Sequence, residues 1–142
     1  MKRCIHLLIF LALSSAIFAQ DQLFGSWQGE MRSVHGTYTF NLDILSTNSG
    51  EDPIRAVAMH DRNGEREVIE LKGIIYNDSS VYFSDVSDRY HKASIGEKFS
   101  KLQFLFKYEN GIPVLDGHWQ EYQDLRKYRK GRLVLYKKKR KA

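Results

Sequence analysis

Histidine is the first residue type to consider for chemistry, because imidazole binds metal ions and transfers protons near neutral pH. Beyond its first twenty residues the chain has His35, His60, His91 and His118. Their spacing matches none of the local motifs that present metal ligands. We therefore expect no metal site and no cofactor, and the alternative is a zinc site assembled across several strands.

One stretch of the sequence combines acidic, basic and phenolic groups. Asp85, Asp88, Tyr90 and His91 lie close together, and such groups can act as general acids and bases. The same composition is typical of a solvated loop. Ser26 directly follows a glycine and so does not stand in a Gly-x-Ser-x-Gly element. We predict no catalytic residue, and a small enzyme using this stretch is a rival hypothesis.

The elements that position these residues are short β-strands. Apolar side chains alternate with polar ones at Tyr38, Phe40, Leu42 and Ile44, which is typical of a strand with one buried face. The same pattern, clear or weaker, predicts eight strands: Phe24–Met31, Tyr38–Ile44, Ile54–His60, Ile69–Ile75, Val81–Val86, Leu102–Tyr108, Ile112–Glu121 and Arg132–Lys137.

The connections predict how these strands pair. Asn63-Gly64, Asn77-Asp78-Ser79 and Asn110-Gly111 are tight-turn sequences, so consecutive strands should form antiparallel hairpins. A sheet of eight such strands has no unpaired edge if it closes into a barrel. The sequence therefore predicts an all-β fold, namely an antiparallel eight-stranded up-and-down barrel over residues 20–136. A transmembrane barrel fits poorly, because the strands are short and the chain ends in a basic run.

The interior of a barrel this size is either filled by side chains or holds one small ligand. We predict the inward-facing residues to be Trp27, Tyr38, Phe40, Leu42, Ile69, Leu71, Phe83, Phe104, Phe106 and Trp119. If a cup is left open, its aromatic lining suits a small apolar ligand. The candidate ligand-binding residues are Trp27, Tyr38, Phe40, Phe83, Phe104, Phe106 and Trp119, reached through a mouth near the Ser87–Ser100 loop.

Residues 1–19 have the pattern of a secretory signal peptide. Lys2 and Arg3 precede an apolar run, and Ala19 supplies a small residue for cleavage. The run is short for a transmembrane helix, so we expect the mature chain to have no transmembrane segment. The only cysteine, Cys4, would leave with the peptide. We expect an exported protein, either periplasmic or secreted, without disulfides.

Charge is distributed unevenly along the chain. Residues 20–125 hold all 17 acidic residues and 10 basic ones, whereas residues 126–142 hold 10 basic and no acidic residues. Export makes nucleic acid an unexpected partner, so an anionic component of the cell envelope is the better candidate. The contact residues would be Arg126, Lys127, Arg129, Lys130, Lys137, Lys138, Lys139 and Arg140. The alternative is a solvated basic tail over residues 137–142.

Two glycine–tryptophan elements carry a resemblance to known proteins. The Gly25-x-Trp27 element in the first strand resembles the calycin group, which contains lipocalins, fatty-acid-binding proteins and avidins. In lipocalins a basic side chain covers this tryptophan, and Arg132 is the matching candidate. The later Gly117-x-Trp119 element and the Gly131–Leu135 segment make the chain more similar to small exported bacterial proteins of lipocalin-like type.

The resemblance and the expected barrel favour an exported binding module for a small apolar ligand. The rival is an interaction or inhibitor protein with a solid barrel, which would contact an anionic partner through its basic end. A continuous interior cavity would favour the first hypothesis, and a filled interior with an exposed apolar patch would favour the second.

Overall fold

The computed structural model describes residues 22–33, 36–46, 54–62, 64–76, 79–85, 98–123 and 127–139. They form eight strands: β1 Gly25–Ser33, β2 Gly36–Leu45, β3 Ile54–Arg62, β4 Glu65–Tyr76, β5 Ser80–Asp85, β6 Lys98–Glu109, β7 Ile112–Gln123 and β8 Lys127–Lys137. Each strand pairs antiparallel with the next, and β8 returns to pair with β1. The predicted all-β antiparallel eight-stranded barrel is therefore confirmed.

The alternating sequence pattern creates the barrel interior. Along β2, burial rises at Phe40, Leu42 and Ile44 and falls at the residues between them, because successive side chains point to opposite sides of the sheet. All ten residues predicted to face inward either belong to the core or pack against it. Aromatic and aliphatic side chains from every strand thus meet inside the closed sheet.

The hairpin between β6 and β7 shows why the turn prediction succeeds. Asn110 and Gly111 both have positive φ, of 50° and 76°. A two-residue hairpin of this kind needs φ above zero at both positions, which asparagine and glycine tolerate best. The turn fixes a register in which Glu109 lies opposite Ile112.

The last strand is longer than its sequence pattern predicts. The predicted start of this strand at Arg132 is wrong, because β8 begins at Lys127 and so includes Arg129 and Lys130. Lys127–Lys130 extend the ladder to β7, whose partner residues are Gln120–Gln123. Backbone pairing does not require apolar side chains, which is why an apolar pattern missed this extension. Lys137 also lies within β8, where it pairs with Trp27.

Several predictions from the sequence fall outside the described residues. They include the signal peptide at residues 1–19, residues 87–97 of the Ser87–Ser100 loop with Asp88, Tyr90 and His91, and, at other positions, His35, Asn63, Asn77, Asp78, Arg126 and Arg140.

Candidate ligand-binding site

The two ends of the barrel differ, and we name them the base and the mouth. The base is the end where β1 begins and β8 ends, and the mouth is the opposite end. At the base Trp27 is fully buried, and its Nε1 donates a hydrogen bond of 2.9 Å to the carbonyl oxygen of Leu23. Leu23 is itself buried, so the base is sealed by side chains.

A basic side chain covers Trp27, but it is Lys137 and not Arg132. The Lys137 Nζ lies 5.5 Å from the centre of the indole ring and also donates to the backbone carbonyl of Gln22. The reason is strand parity, since Leu133, Leu135 and Lys137 lie on the inward face of β8. The expectation for Arg132 is therefore wrong.

Arg132 lies on the outer wall and pairs with Asp116. The Asp116 carboxylate accepts from Arg132 at 3.1 Å and from Lys107 Nζ at 2.9 Å. The hydrogen bond from Lys107 is the main reason that the pKa of Asp116 lies below its ordinary value of 3.8. This cluster fixes the relative positions of β6, β7 and β8 on the outer wall, away from the interior.

The part of the barrel next to the base is packed with side chains. Trp27, Phe83 and Phe104 are at most 1% exposed, and Phe106 meets Trp27 edge to face with ring centres 6.1 Å apart. Dense aromatic packing of this kind fills the space that a ligand would need. Of the predicted ligand-binding set, Trp27, Phe83 and Phe104 therefore lie in the packed core, and Phe106 packs against it.

A cavity of about 20 Å³ lies at the mouth. Its enclosed part has room for one group the size of a water molecule. Together with its solvent-open approach it takes in about 350 Å³ of space not filled by atoms. The lining is mainly apolar and comes from six strands: Met31, Phe40, Ala58, His60, Ile69, Leu71, Ser100, Leu102, Trp119, Gln120 and Glu121.

Within the part of the chain that the structure describes, two buried side-chain nitrogens have no hydrogen-bond partner in the protein, and both belong to residues of this lining. They are Nδ1 of His60 and Nε1 of Trp119. The other ring nitrogen of His60, Nε2, lies 3.0 Å from a carboxylate oxygen of Glu67. The imidazole also stacks near Phe40, with an angle of 15° between the rings. One edge of the imidazole is thus engaged, while the nitrogen on its other edge has no partner.

Of the predicted ligand-binding residues, Phe40 and Trp119 line this cavity, and Tyr38 lies at the same end of the barrel. Sequence reasoning missed His60. The signal was present, because Ile54, Ala56, Ala58 and His60 follow the period of two along β3 and should share a face.

The basic residues predicted to contact an anionic partner do not form one group. Arg129 and Lys130 lie near the mouth, whereas Lys137, Lys138 and Lys139 lie at the base. Lys130 and Lys137 are seven residues apart in β8, which separates the two groups by about 23 Å. Lys138 donates to the Asn41 side chain at 2.9 Å, and Lys137 covers Trp27.

Within the residues that the structure describes, three or more His, Cys, Asp or Glu side chains nowhere come together in a way that could hold a metal ion. No helix there is long and apolar enough to cross a membrane.

No protein-family model, curated protein or solved structure shows a significant match to this chain. The chain is a closed eight-stranded antiparallel barrel with a sealed base, a packed lower interior and a small apolar cavity at the mouth.

Proposed function

We propose that this chain is an exported lipocalin-like binding protein that takes up a small apolar ligand through the mouth of its barrel. The observation that carries the proposal is the mouth cavity, whose walls are mostly apolar and whose open approach faces solvent. Small-molecule sites are typically concave, mainly apolar and furnished with a few polar groups.

The size of the cavity limits the ligand. The cavity volume of about 20 Å³ is far below that of a typical ligand site, so it can enclose only one small group of a ligand. A ligand would insert one end between Phe40, Leu102 and Trp119 and leave the rest in the open approach. A small molecule or the tip of a longer apolar chain satisfies this geometry.

The lipocalin-like part of the proposal is supported by the base. A tryptophan in the first strand, two residues after a glycine, lies under a basic side chain from the last strand. This arrangement matches the feature on which the resemblance rests, with Lys137 in place of the expected Arg132. The proposed export is supported by the pattern of residues 1–19.

Blocking the mouth should abolish uptake of an apolar dye. Ser100 lines the cavity and is partly exposed, so Ser100→Phe would place a ring in the opening at small cost to stability. We expect the affinity for a neutral dye of the phenylnaphthylamine type to fall at least about tenfold, since its site is occupied. Fluorescence titration measures this change.

The matched control for this variant is Ser84→Phe. Ser84 is also partly exposed in a strand, but it lies on the outer wall, where it pairs with Lys72 and Lys101. This variant should bind the dye as the wild-type protein does. Equal loss of binding in both variants, or a wild-type protein that leaves the dye unbound, would contradict a mouth site.

A second candidate function is contact with an anionic envelope component, and one observation on the outer wall favours it. Lys72, Lys101 and Lys130 lie in one cross-strand row, separated by Ser84 and Gln120. Adjacent strands are about 4.8 Å apart, so neighbouring lysines in the row are about 10 Å apart. A row of positive charges attracts anionic lipid headgroups or acidic glycans.

Charge reversal in this row tests the second function. We expect the double variant Lys72→Glu, Lys130→Glu to bind vesicles containing anionic lipid less tightly in sedimentation at low salt, because each lysine near such a surface contributes about 1 kcal/mol. The control is Arg32→Glu, Arg55→Glu, with exposed arginines in β1 and β3. An equal effect of both double variants would show that only net charge matters and would reject the row.

A further inference from the structure

Exposed hydrophobic side chains gather at the base of the barrel. Five of them are each 49% to 53% exposed: Leu45, Tyr76, Tyr108, Ile112 and Tyr136. Each stands at the first, last or next-to-last position of its strand, and the alternating strand directions put all five positions at the base. We name these five residues the base rim.

The base rim surrounds the end of the barrel and is not a patch on one side. Its residues come from β2, β4, β6, β7 and β8, and Ile74 and Leu105 continue it along β4 and β6 with exposures of 50% and 47%. Single exposed hydrophobic residues are ordinary on a protein surface, but a group gathered at one place marks an interaction site. Three of the five rim residues are tyrosines, which are enriched where a membrane meets water.

Lysines stand at the same end of the molecule. Lys107 is near the base end of β6, and Lys137–Lys139 end β8 and follow it, with Lys138 and Lys139 exposed. Of the acidic residues nearby, Glu109 and Asp116 lie 3.1 and 2.9 Å from Lys107, and Asp43 is partly buried. The base therefore presents the lysines at the end of β8 beside the hydrophobic rim.

We infer that the base is a membrane-contacting end, whose rim enters the headgroup region of a bilayer that contains anionic lipid. A surface that is apolar and basic binds such an interface by burying apolar area and by attracting anionic headgroups. Lysine side chains suit this place, because their stems lie along apolar surface while their ammonium groups stay in water. The mouth, at the opposite end, then remains in water.

The inference goes beyond both candidate functions. It needs no ligand at the mouth, and it does not involve the row of Lys72, Lys101 and Lys130 on the outer wall. It concerns a different surface and names a lipid bilayer as the partner.

A bilayer fits the base better than other partners do. A second copy of the chain placed base to base would bring two sets of Lys137–Lys139 together, and like charges repel. An acidic glycan would attract the lysines but leave Tyr108 and Ile112 in water. A fluid bilayer adapts to a convex ring and meets both its apolar and its basic parts.

A fluorescent label at one rim position tests the inference. The only cysteine of the chain is Cys4, so a full chain with Cys4→Ser and Ile112→Cys takes a single environment-sensitive label. Vesicles of phosphatidylcholine and phosphatidylglycerol should shift the emission of this label to shorter wavelength, because the label leaves water on binding.

The matched control carries the label at Val68→Cys in the same Cys4→Ser chain. Val68 is 57% exposed, against 53% for Ile112, but it lies in the mouth half of β4. Its label should keep the same emission with and without vesicles. Both proteins contain residues 1–19, so any membrane affinity of that segment acts on both alike.

Removing two rim side chains should weaken binding to the same vesicles. We expect the affinity of Tyr76→Ser, Ile112→Ser in sedimentation to fall at least about tenfold, because interfacial binding scales with the apolar area buried. The variant keeps every charge of the protein, so charge attraction does not explain the loss. Val68→Ser should bind as the wild-type protein does.

The outcomes separate the base from the lysine row. A shift at position 112 without one at position 68, together with the loss in Tyr76→Ser, Ile112→Ser, supports the inference. Vesicle binding with an unchanged label at position 112, or with equal shifts at both positions, overturns the inference and leaves the row as a candidate contact. Absence of binding to these vesicles overturns it too, and restricts the row to acidic glycans.

Analytical ultracentrifugation without lipid covers the remaining occupant of the base. The wild-type protein should sediment as a monomer. A dimer that Tyr76→Ser, Ile112→Ser converts to a monomer would show that a second copy covers the rim, and it would reject the bilayer.

Discussion

Replacing Trp27 by alanine should lower the free energy of unfolding by about 3 to 5 kcal/mol, the range for removal of a buried aromatic side chain. Trp27 is fully buried at the base, where it packs against Phe106 and lies under Lys137. Its removal leaves a cavity, and it also leaves the Leu23 carbonyl without its donor. Urea denaturation followed by circular dichroism measures the loss.

Two companion variants make this prediction specific. Trp27→Phe keeps an aromatic ring but loses the indole N–H, so its cost should be smaller than that of alanine and still measurable. Tyr76→Ala removes an aromatic ring that is 52% exposed on the outer wall, and it should change stability by no more than about 0.5 kcal/mol. If Trp27→Ala and Tyr76→Ala have similar effects, Trp27 does not seal the base.

A single added methyl group at Gly117 should be as damaging as the loss of Trp27. An ideal Cβ at this position would lie 1.8 Å from the carbonyl oxygen of Gln103 and 2.8 Å from the Cα of Phe104. Both are backbone atoms of β6, so neither can rotate away, and the strands themselves would have to separate. We expect Gly117→Ala to cost about 3 kcal/mol or more, the upper end for overpacking, or to prevent folding.

Alanine substitutions at two other glycines test whether the clash with the β6 backbone causes the loss of stability. A Cβ at Gly131 would lie 2.5 Å from Trp119 Nε1, a side-chain atom that can shift, so Gly131→Ala should cost less than Gly117→Ala. At Gly64 a Cβ would meet nothing within 4 Å, and only the positive φ of 80° opposes alanine, at about 1 to 2 kcal/mol. Thermal denaturation should rank the variants in this order. A Gly117→Ala protein as stable as Gly64→Ala would contradict the close approach of β6 and β7.

The barrel could be predicted because apolar and polar residues alternate clearly along the strands. Phe40, Leu42 and Ile44 alternate with polar residues, and Asn110-Gly111 marks a two-residue turn. Local patterns of this kind determine which residues face inward and which strands are neighbours. The same alternation places Lys137 on the inward face of β8 with Leu133 and Leu135. The resemblance to lipocalins had instead suggested that Arg132 covers Trp27.

The division of the basic end could not be predicted from the same patterns. Lys127 and Lys130 carry no apolar signal, and their place in β8 depends on pairing with β7, which is a tertiary contact. A run of charges therefore resembled a tail, although much of it belongs to a strand that spans the barrel. Only the pairing shows that the two ends of this run lie at opposite ends of the molecule.

Only some residues of the candidate site could be predicted, because a sequence does not show how much space is left inside the barrel. Phe40 and Trp119 were among the predicted ligand-binding residues and line the cavity, whereas Phe83 and Phe104 fill the core. A sequence specifies which side chains point inward, but the space between them depends on how closely the strands approach. The contact between His60 and Glu67 likewise depends on the pairing of β3 with β4, which places the two residues opposite each other.

The most direct test of the proposed function is native mass spectrometry of the full chain expressed and purified from its own host. We expect a mature protein beginning at Gln20, with a noncovalent adduct of a small apolar molecule on the wild type and on Ser84→Phe. The adduct should be absent from Ser100→Phe, in which the mouth is blocked. Wild-type protein without an adduct that also leaves apolar dyes unbound would contradict the account, as would an adduct that survives in Ser100→Phe.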